Sequence, residues 1–117
     1  MDMNEYQKRA KKTAKYGEYR LNKEESWSSK IHGNLVYPTW GLSSEVGELL
    51  GKLKKNIRDD TEIDHDALKG ELGDILWYVA EIASVLDLSL DDVAQANVDK
   101  LESRVKRDKI SGSGDNR

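Results

Sequence analysis

Two stretches of the chain carry one acidic pattern. Residues 42–50 read LSSEVGELL and residues 68–76 read LKGELGDIL. Set 26 residues apart, they match Leu42 with Leu68, Glu45 with Glu71, Gly47 with Gly73, Glu48 with Asp74 and Leu50 with Leu76. A three-residue step returns a helical side chain to the same face one turn on. Glu45 therefore projects with Glu48, and Glu71 with Asp74. Two antiparallel helices joined by a short loop would turn these pairs toward each other across a groove. Four carboxylates near one point repel strongly unless they are protonated, solvated or neutralised by cations. An all-oxygen donor set favours the hard ions Mg²⁺ or Mn²⁺. Helical di-iron bundles use Glu-x-x-His pairs, and neither half of this pattern contains a histidine.

A mid-helix glycine costs about 1 kcal/mol relative to alanine. This chain accepts one at Gly47 and one at Gly73, between the carboxylates of each pair. Close approach of a ligand or a helix would account for both. Further on, Asn97 interrupts an apolar stripe, with Lys100 and Arg104 following at steps of three and four. A buried Asn needs partners, and it could simply tie two helices together. The three residues also form one polar column, and cations beside an acidic metal site suit phosphate oxygens.

Four helices account for the periodicity. The first spans about residues 4–19, where Met3, Tyr6, Ala10, Ala14 and Gly17 line one face and Lys8, Arg9, Lys11, Lys12 and Lys15 the other. Residues 21–38, with Ser26, Ser28, Ser29, Gly33, Asn34 and Pro38, read as a long connection. The second helix is expected from Thr39 to Ile57, on the stripe Leu42, Val46, Leu49, Leu50, Leu53 and Ile57. Arg58–Asp66 reads as an acidic loop. The third helix runs from about Asp64 to Leu86 on Leu68, Leu72, Ile75, Leu76, Val79, Ile82 and Ala83. Ser89, with Asp92 three residues on, caps a fourth through Leu90, Val93, Ala94, Val98, Leu101 and Val105. Residues 1–110 then make a single helical domain. Residues 111–117, SGSGDNR, read as a flexible tail.

Composition supports an all-α fold with a thin core. One Pro and 35% charged residues among 117 point to helices rather than a β-sandwich. Leu, Ile, Val and Phe make up 26 residues, about 22%, close to the level at which a chain stops folding alone. A subunit this small often completes its core with copies of itself. The absence of Cys excludes disulfides, thiolate nucleophiles and Cys-ligated zinc. The longest apolar run is Ile75–Ala80, too short for a membrane span, and residues 1–20 hold no Leu, Ile or Val for a signal peptide. A cytoplasmic location follows as the expectation. Residues 1–20 carry net +3, residues 41–100 net −8 and residues 101–117 net +2. An acidic centre does not suit duplex nucleic acid. It suits multivalent cations, and through them a polyphosphate.

The spacing E-x-x-E, 22 residues, E-x-x-D resembles the MazG-type all-α nucleoside triphosphate pyrophosphohydrolases. YPTWGLSSEVGELLGKLKK resembles the family's first motif helix, KGELGDILWYVA the second, and SLDDVAQANVDKLESR the helix that follows. The terminal GSGDNR is similar to a tail of small stand-alone members, many of them from phages. The resemblance covers about residues 37–117. It implies that Glu45, Glu48, Glu71 and Asp74 hold Mg²⁺, two or more ions per site, with Mn²⁺ able to substitute. It implies that Asn97 and Lys100, with Arg104 beside them, contact phosphates, and that Tyr78 contacts the nucleotide. It also implies hydrolysis of the α–β bond of a (d)NTP to (d)NMP and pyrophosphate, by a homodimer or homotetramer.

Trp27, His32, Tyr37, Trp40, Trp77 and Tyr78 are the candidates for stacking on a base. Trp77 falls opposite the apolar stripe of its helix, so an exposed, subunit-contacting position is expected. The tail is expected over a nucleotide or a neighbouring subunit, with Arg117 or Asn116 reaching a phosphate. Three other readings compete: a phosphoribosyl-ATP pyrophosphohydrolase, a non-catalytic nucleotide-binding helical module, and a nucleic-acid binder using residues 8–15. The four carboxylates together with Asn97 and Lys100 argue against the module.

Overall fold

The computed structural model describes residues 1–16, 27–108 and 110–117, and over 27–32 the backbone alone. Its described residues form four helices and no strand: α1 (Met3–Thr13), α2 (Trp27–Asp59), α3 (His65–Val85) and α4 (Leu90–Lys106).

Three of the helix starts, those of α1, α3 and α4, have a sequence cause. Asp2 caps α1 by accepting from the Glu5 amide at 2.7 Å. Asp64 caps α3 by accepting from Ala67 at 3.1 Å. Ser89 caps α4, as expected, by accepting from Asp92 at 3.4 Å. These side chains satisfy amides that have no partner within the helix. Helices α2, α3 and α4 are each followed by an aspartate in the left-handed region: Asp60 (φ 50°), Asp87 (φ 56°) and Asp108 (φ 54°). Asp tolerates that region better than most residues with a Cβ.

Two boundaries differ from the sequence reading. Helix α1 stops at Thr13, with Ala14 extended, instead of running to Tyr19. The Thr13 hydroxyl accepts from Trp77 Nε1 at 2.8 Å, and Tyr16 stacks on Tyr37 with centroids 4.6 Å apart. These tertiary contacts hold the exit from α1, where periodicity alone would continue it. Residues 17–19 lie outside the described residues. The larger difference is residues 27–38, which are helical and not part of a long connection. Pro38 lies inside α2. It cannot donate to the carbonyl one turn back. The following residue helps the altered turn: the Thr39 hydroxyl donates to the carbonyls of Leu35 (2.7 Å) and Val36 (3.2 Å). Pro38 is also fully buried, so packing favours the ring at this place.

Helices α2 and α3 form an antiparallel hairpin across a five-residue turn, in a register that sets Gly41 against Tyr78 and Glu45 near Asp74. Helix α1 packs on α3 and on the start of α4. The buried core lies there: Ala10, Ala80, Ala83 and Leu90, with Met3, Tyr6, Trp77 and Val79 around it. The N-termini of α1 and α4 cap each other. Asp91 accepts from the Met3 amide at 3.1 Å, Asn4 accepts from the Asp91 amide at 3.1 Å, and Gln7 accepts from Leu90 at 2.8 Å.

The rest of α4 is uncovered on its apolar side. Val93, Val98, Leu101 and Val105 are all exposed, as are Leu50, Ile57 and Leu72 on the hairpin. The radius of gyration is 17.6 Å, against about 13 Å for a compact chain of this length. One copy of the chain does not bury its own apolar stripes.

Candidate metal and nucleotide site

The hairpin brings Glu45 of α2 to Glu71 and Asp74 of α3. Each offers an oxygen within 4.8 Å of the others, so three of the four carboxylates expected from the doubled pattern meet. Glu71 is buried at 7% exposure, and its Oε1 lies 3.2 Å from Lys52 Nζ. Glu71 Oε2 and Glu45 Oε2 are buried without a hydrogen-bond partner. Buried carboxylate oxygens are costly when unpaired, and two converge here beside a third carboxylate. A hard divalent cation is the partner such a donor set fits. Burial raises the Glu45 carboxyl pKa above its ordinary value, and the charges of Glu48 and Asp74 and the close approach of the Glu71 carboxyl raise it further.

Glu48 stands apart from the other three. It is exposed and falls outside the cluster, while its charge still acts on Glu45. The matched glycines are open as well. A Cβ at Gly47 or Gly73 would meet nothing within 4 Å, so no described helix approaches either. The glycine that does mark a close approach is Gly41, where a Cβ would overlap the Tyr78 ring. The chain contains one Glu-x-x-His step, Glu62 to His65, which spans the α2–α3 turn with both residues exposed.

A cleft of about 350 Å³ opens beside the carboxylates, lined by Thr13, Glu45, Asp74, Trp77 and Tyr78. Trp77 and Tyr78 form its aromatic wall, meeting edge-on at 5.0 Å, and behind them Tyr78 lies tilted to Tyr37 at 6.3 Å while Tyr37 stacks on Tyr16. Burial raises the Tyr78 hydroxyl pKa, with a hydrogen bond to Tyr37 and the charges of Glu45 and Asp74 adding to it. The hydroxyl thus stays a protonated donor. Trp77 is half-buried, packed toward α1 and bonded to Thr13, rather than exposed as its angular position suggested. Trp40 is 70% exposed. The side chains of Trp27 and His32 lie outside the described residues.

Sequence reasoning missed Tyr16, Thr13 and Glu81. Glu81 is fully buried, with Oε2 3.0 Å from the Tyr16 hydroxyl and 3.5 Å from Lys11 Nζ. The signal was available: Glu71, Asp74, Tyr78 and Glu81 follow one another at steps of three, four and three, along one polar face of α3.

The α4 column does not join the carboxylates through any bond. Asn97 is exposed. The partners of Lys100 and Arg104 lie in the tail. Asp115 Oδ1 sits 3.1 Å from Lys100 Nζ and 3.4 Å from Arg104 Nη2, which also donates to the Asp115 carbonyl at 2.5 Å. The tail thus folds on α4 of its own chain. Arg117 donates to the carbonyls of Gly114 (2.6 Å) and Ile110 (2.9 Å), closing the turn.

The hairpin thus sets clustered carboxylates, which could hold a metal ion, beside a cleft walled by Trp77 and Tyr78. The MazG nucleotide pyrophosphohydrolase domain matches residues 39–107, which span both acidic motifs and all of α4. The chain belongs to that family. It is also 49% identical over 87 residues to the Gene 37 protein of Mycobacterium phage L5, covering 71% of this chain and 76% of the phage protein. No solved structure matches the chain significantly. Among the described residues no helix is long and apolar enough to cross a membrane.

Proposed function

We propose that the protein is a Mg²⁺-dependent pyrophosphohydrolase that splits the α–β bond of a (d)NTP into (d)NMP and pyrophosphate. The observation that carries this reading is the pair of unpartnered, buried oxygens of Glu45 and Glu71, beside Asp74, at the mouth of an aromatic cleft. Its volume of about 350 Å³ falls in the usual range for small-molecule sites.

Glu45, Glu71 and Asp74 would hold Mg²⁺, with Mn²⁺ able to substitute. A bound divalent cation supplies charge neutralisation on the phosphates and lowers the pKa of water. Glu48, exposed and outside the trio, is the carboxylate left to orient the attacking water. The water oxygen bonds to phosphorus as the bridging P–O bond breaks, and its proton passes to a carboxylate. Tyr78 and Trp77 offer the nucleotide a stacking face and a hydroxyl donor. Asn97, Lys100 and Arg104 serve the phosphates, and Arg117 joins them once the tail moves.

The uncovered stripe of α4 is met by a second copy, giving a homodimer or homotetramer in the cytoplasm. Incubating the protein with Mg²⁺ and each canonical NTP and dNTP tests the reaction. Monophosphate plus pyrophosphate is the expected product pair. Orthophosphate plus diphosphate would contradict α–β cleavage.

A further inference from the structure

The tail Ile110–Arg117 is ordered by α4. Gly112 (φ 107°) and Gly114 (φ 88°) take backbone conformations that a Cβ disfavours, and these let the chain reverse. Arg107 donates to the Arg117 carbonyl at 2.7 Å, while Arg104 donates to the Asp115 carbonyl and, at 3.5 Å, to that of Gly114. The reversal delivers one carboxylate oxygen, Asp115 Oδ1, to two cations at once. Arg104 is only 5% exposed, and its Nε has no partner. A buried guanidinium with a spare donor, and a lysine at its side, form a seat for an oxyanion with more acceptors than one carboxylate oxygen provides. The side chain now filling it is 81% exposed, so it can leave without disturbing a core.

We propose that Asp115 is an internal stand-in for phosphate, and that the tail is a latch competing with phosphate-bearing ligands for Lys100 and Arg104. The proposal rests on the reading of those two residues as phosphate-binding. When an anion takes the seat, the Asp115 carboxylate is released. The turn through Gly112 and Gly114 then loses its side-chain tie to α4.

Inorganic pyrophosphate is the probe, titrated calorimetrically with Mg²⁺ into the full chain. Asp115→Asn keeps the shape and removes the charge. It should tighten pyrophosphate binding about tenfold, the gain expected when a competitor that fills nine seats in ten is removed. In the wild type, the Gly112 and Gly114 amide resonances should move toward random-coil positions as pyrophosphate is added. Lys100→Ala should abolish the binding. Binding that depends on Lys100 but is unchanged or weakened in Asp115→Asn would overturn the latch and leave Asp115 as a residue that positions Lys100. Binding unaffected by Lys100→Ala would overturn the phosphate seat itself, and the latch with it.

Discussion

Lys52 Nζ lies 3.2 Å from Glu71 Oε1, across the hairpin from α2 to α3. The most buried carboxylate of the trio thus keeps one protein cation while its second oxygen has none. Lys52 is 45% exposed on its side chain, so solvent screens the pair. Replacing it with Met leaves Glu71 with two uncompensated oxygens. Lys52→Met should lower metal-free stability by about 1–2 kcal/mol. Mg²⁺ should restore more stability to this variant than to the wild type, because the ion then answers a larger deficit. Thermal melts in EDTA and in Mg²⁺ compare the two, and equal Mg²⁺ gains would contradict the relationship.

Gly41 and Tyr78 test the cleft wall. A Cβ at Gly41 would overlap the Tyr78 ring, so Gly41→Ala must displace it. We expect a loss of about 1–3 kcal/mol, the usual cost of overpacking. In a Tyr78→Ala background the same substitution should cost far less, since the obstructing ring is gone. Denaturant melts of the four proteins of this cycle give the coupling directly. Additive losses would place the strain elsewhere.

The raised Glu45 carboxyl gives metal-free stability a sign with pH. A group whose folded pKa exceeds its unfolded value holds its proton more tightly when folded. Its contribution is therefore present below the ordinary value of 4.5 and lost as pH rises through the raised folded value. Asp115 has the opposite sign: hydrogen bonding to Lys100 holds it low, so its contribution is lost as pH falls. In EDTA, the midpoint of melting should drop as pH climbs above the ordinary carboxyl range. Glu45→Gln should flatten that drop. With Mg²⁺ the trend should reverse, because the ion binds the ionised form. An identical EDTA profile in Glu45→Gln would remove Glu45 as the cause.

Leu101 and Val98 test the assembly. Both are more than 40% exposed on the α4 stripe, where a second copy is proposed to pack. Leu101→Glu should shift the protein toward monomer in light scattering, while lowering helicity little. An unchanged mass would assign the stripe to some other partner.

The carboxylate trio was legible because helical periodicity fixes which side chains share a face, and the Leu-x-x-Glu repeat marked the same face twice. Ser89 was legible as a cap for a similar local reason. What escaped was set by distant contacts. Residues 27–38 carry loop-forming types, yet Pro38 is buried and the Thr39 hydroxyl serves the turn around it. Trp77 looked outward only because α1, which covers it, could not be placed from the stripe of α3 alone. The tail, Gly-rich by composition, is held by cations of α4 that sequence spacing had assigned to phosphate.

The reciprocal caps between α1 and α4 have a consequence for how the chain comes off the ribosome. Met3, Asn4 and Gln7 find their partners in residues 89–91, which are synthesised more than eighty residues later. The α2–α3 hairpin needs only a short turn to close, so its entropic cost is small and it forms first. Helix α1 can lay its apolar face on α3 once α3 is made, but its first turn stays uncapped until the start of α4 emerges. Pulse-labelled hydrogen exchange should find hairpin amides protected before those of α1. The last helix made thereby completes the seating of the first, and a message cut short before residue 89 yields a hairpin that can hold α1 through Ala80, Ala83 and Glu81 but leaves its first turn uncapped.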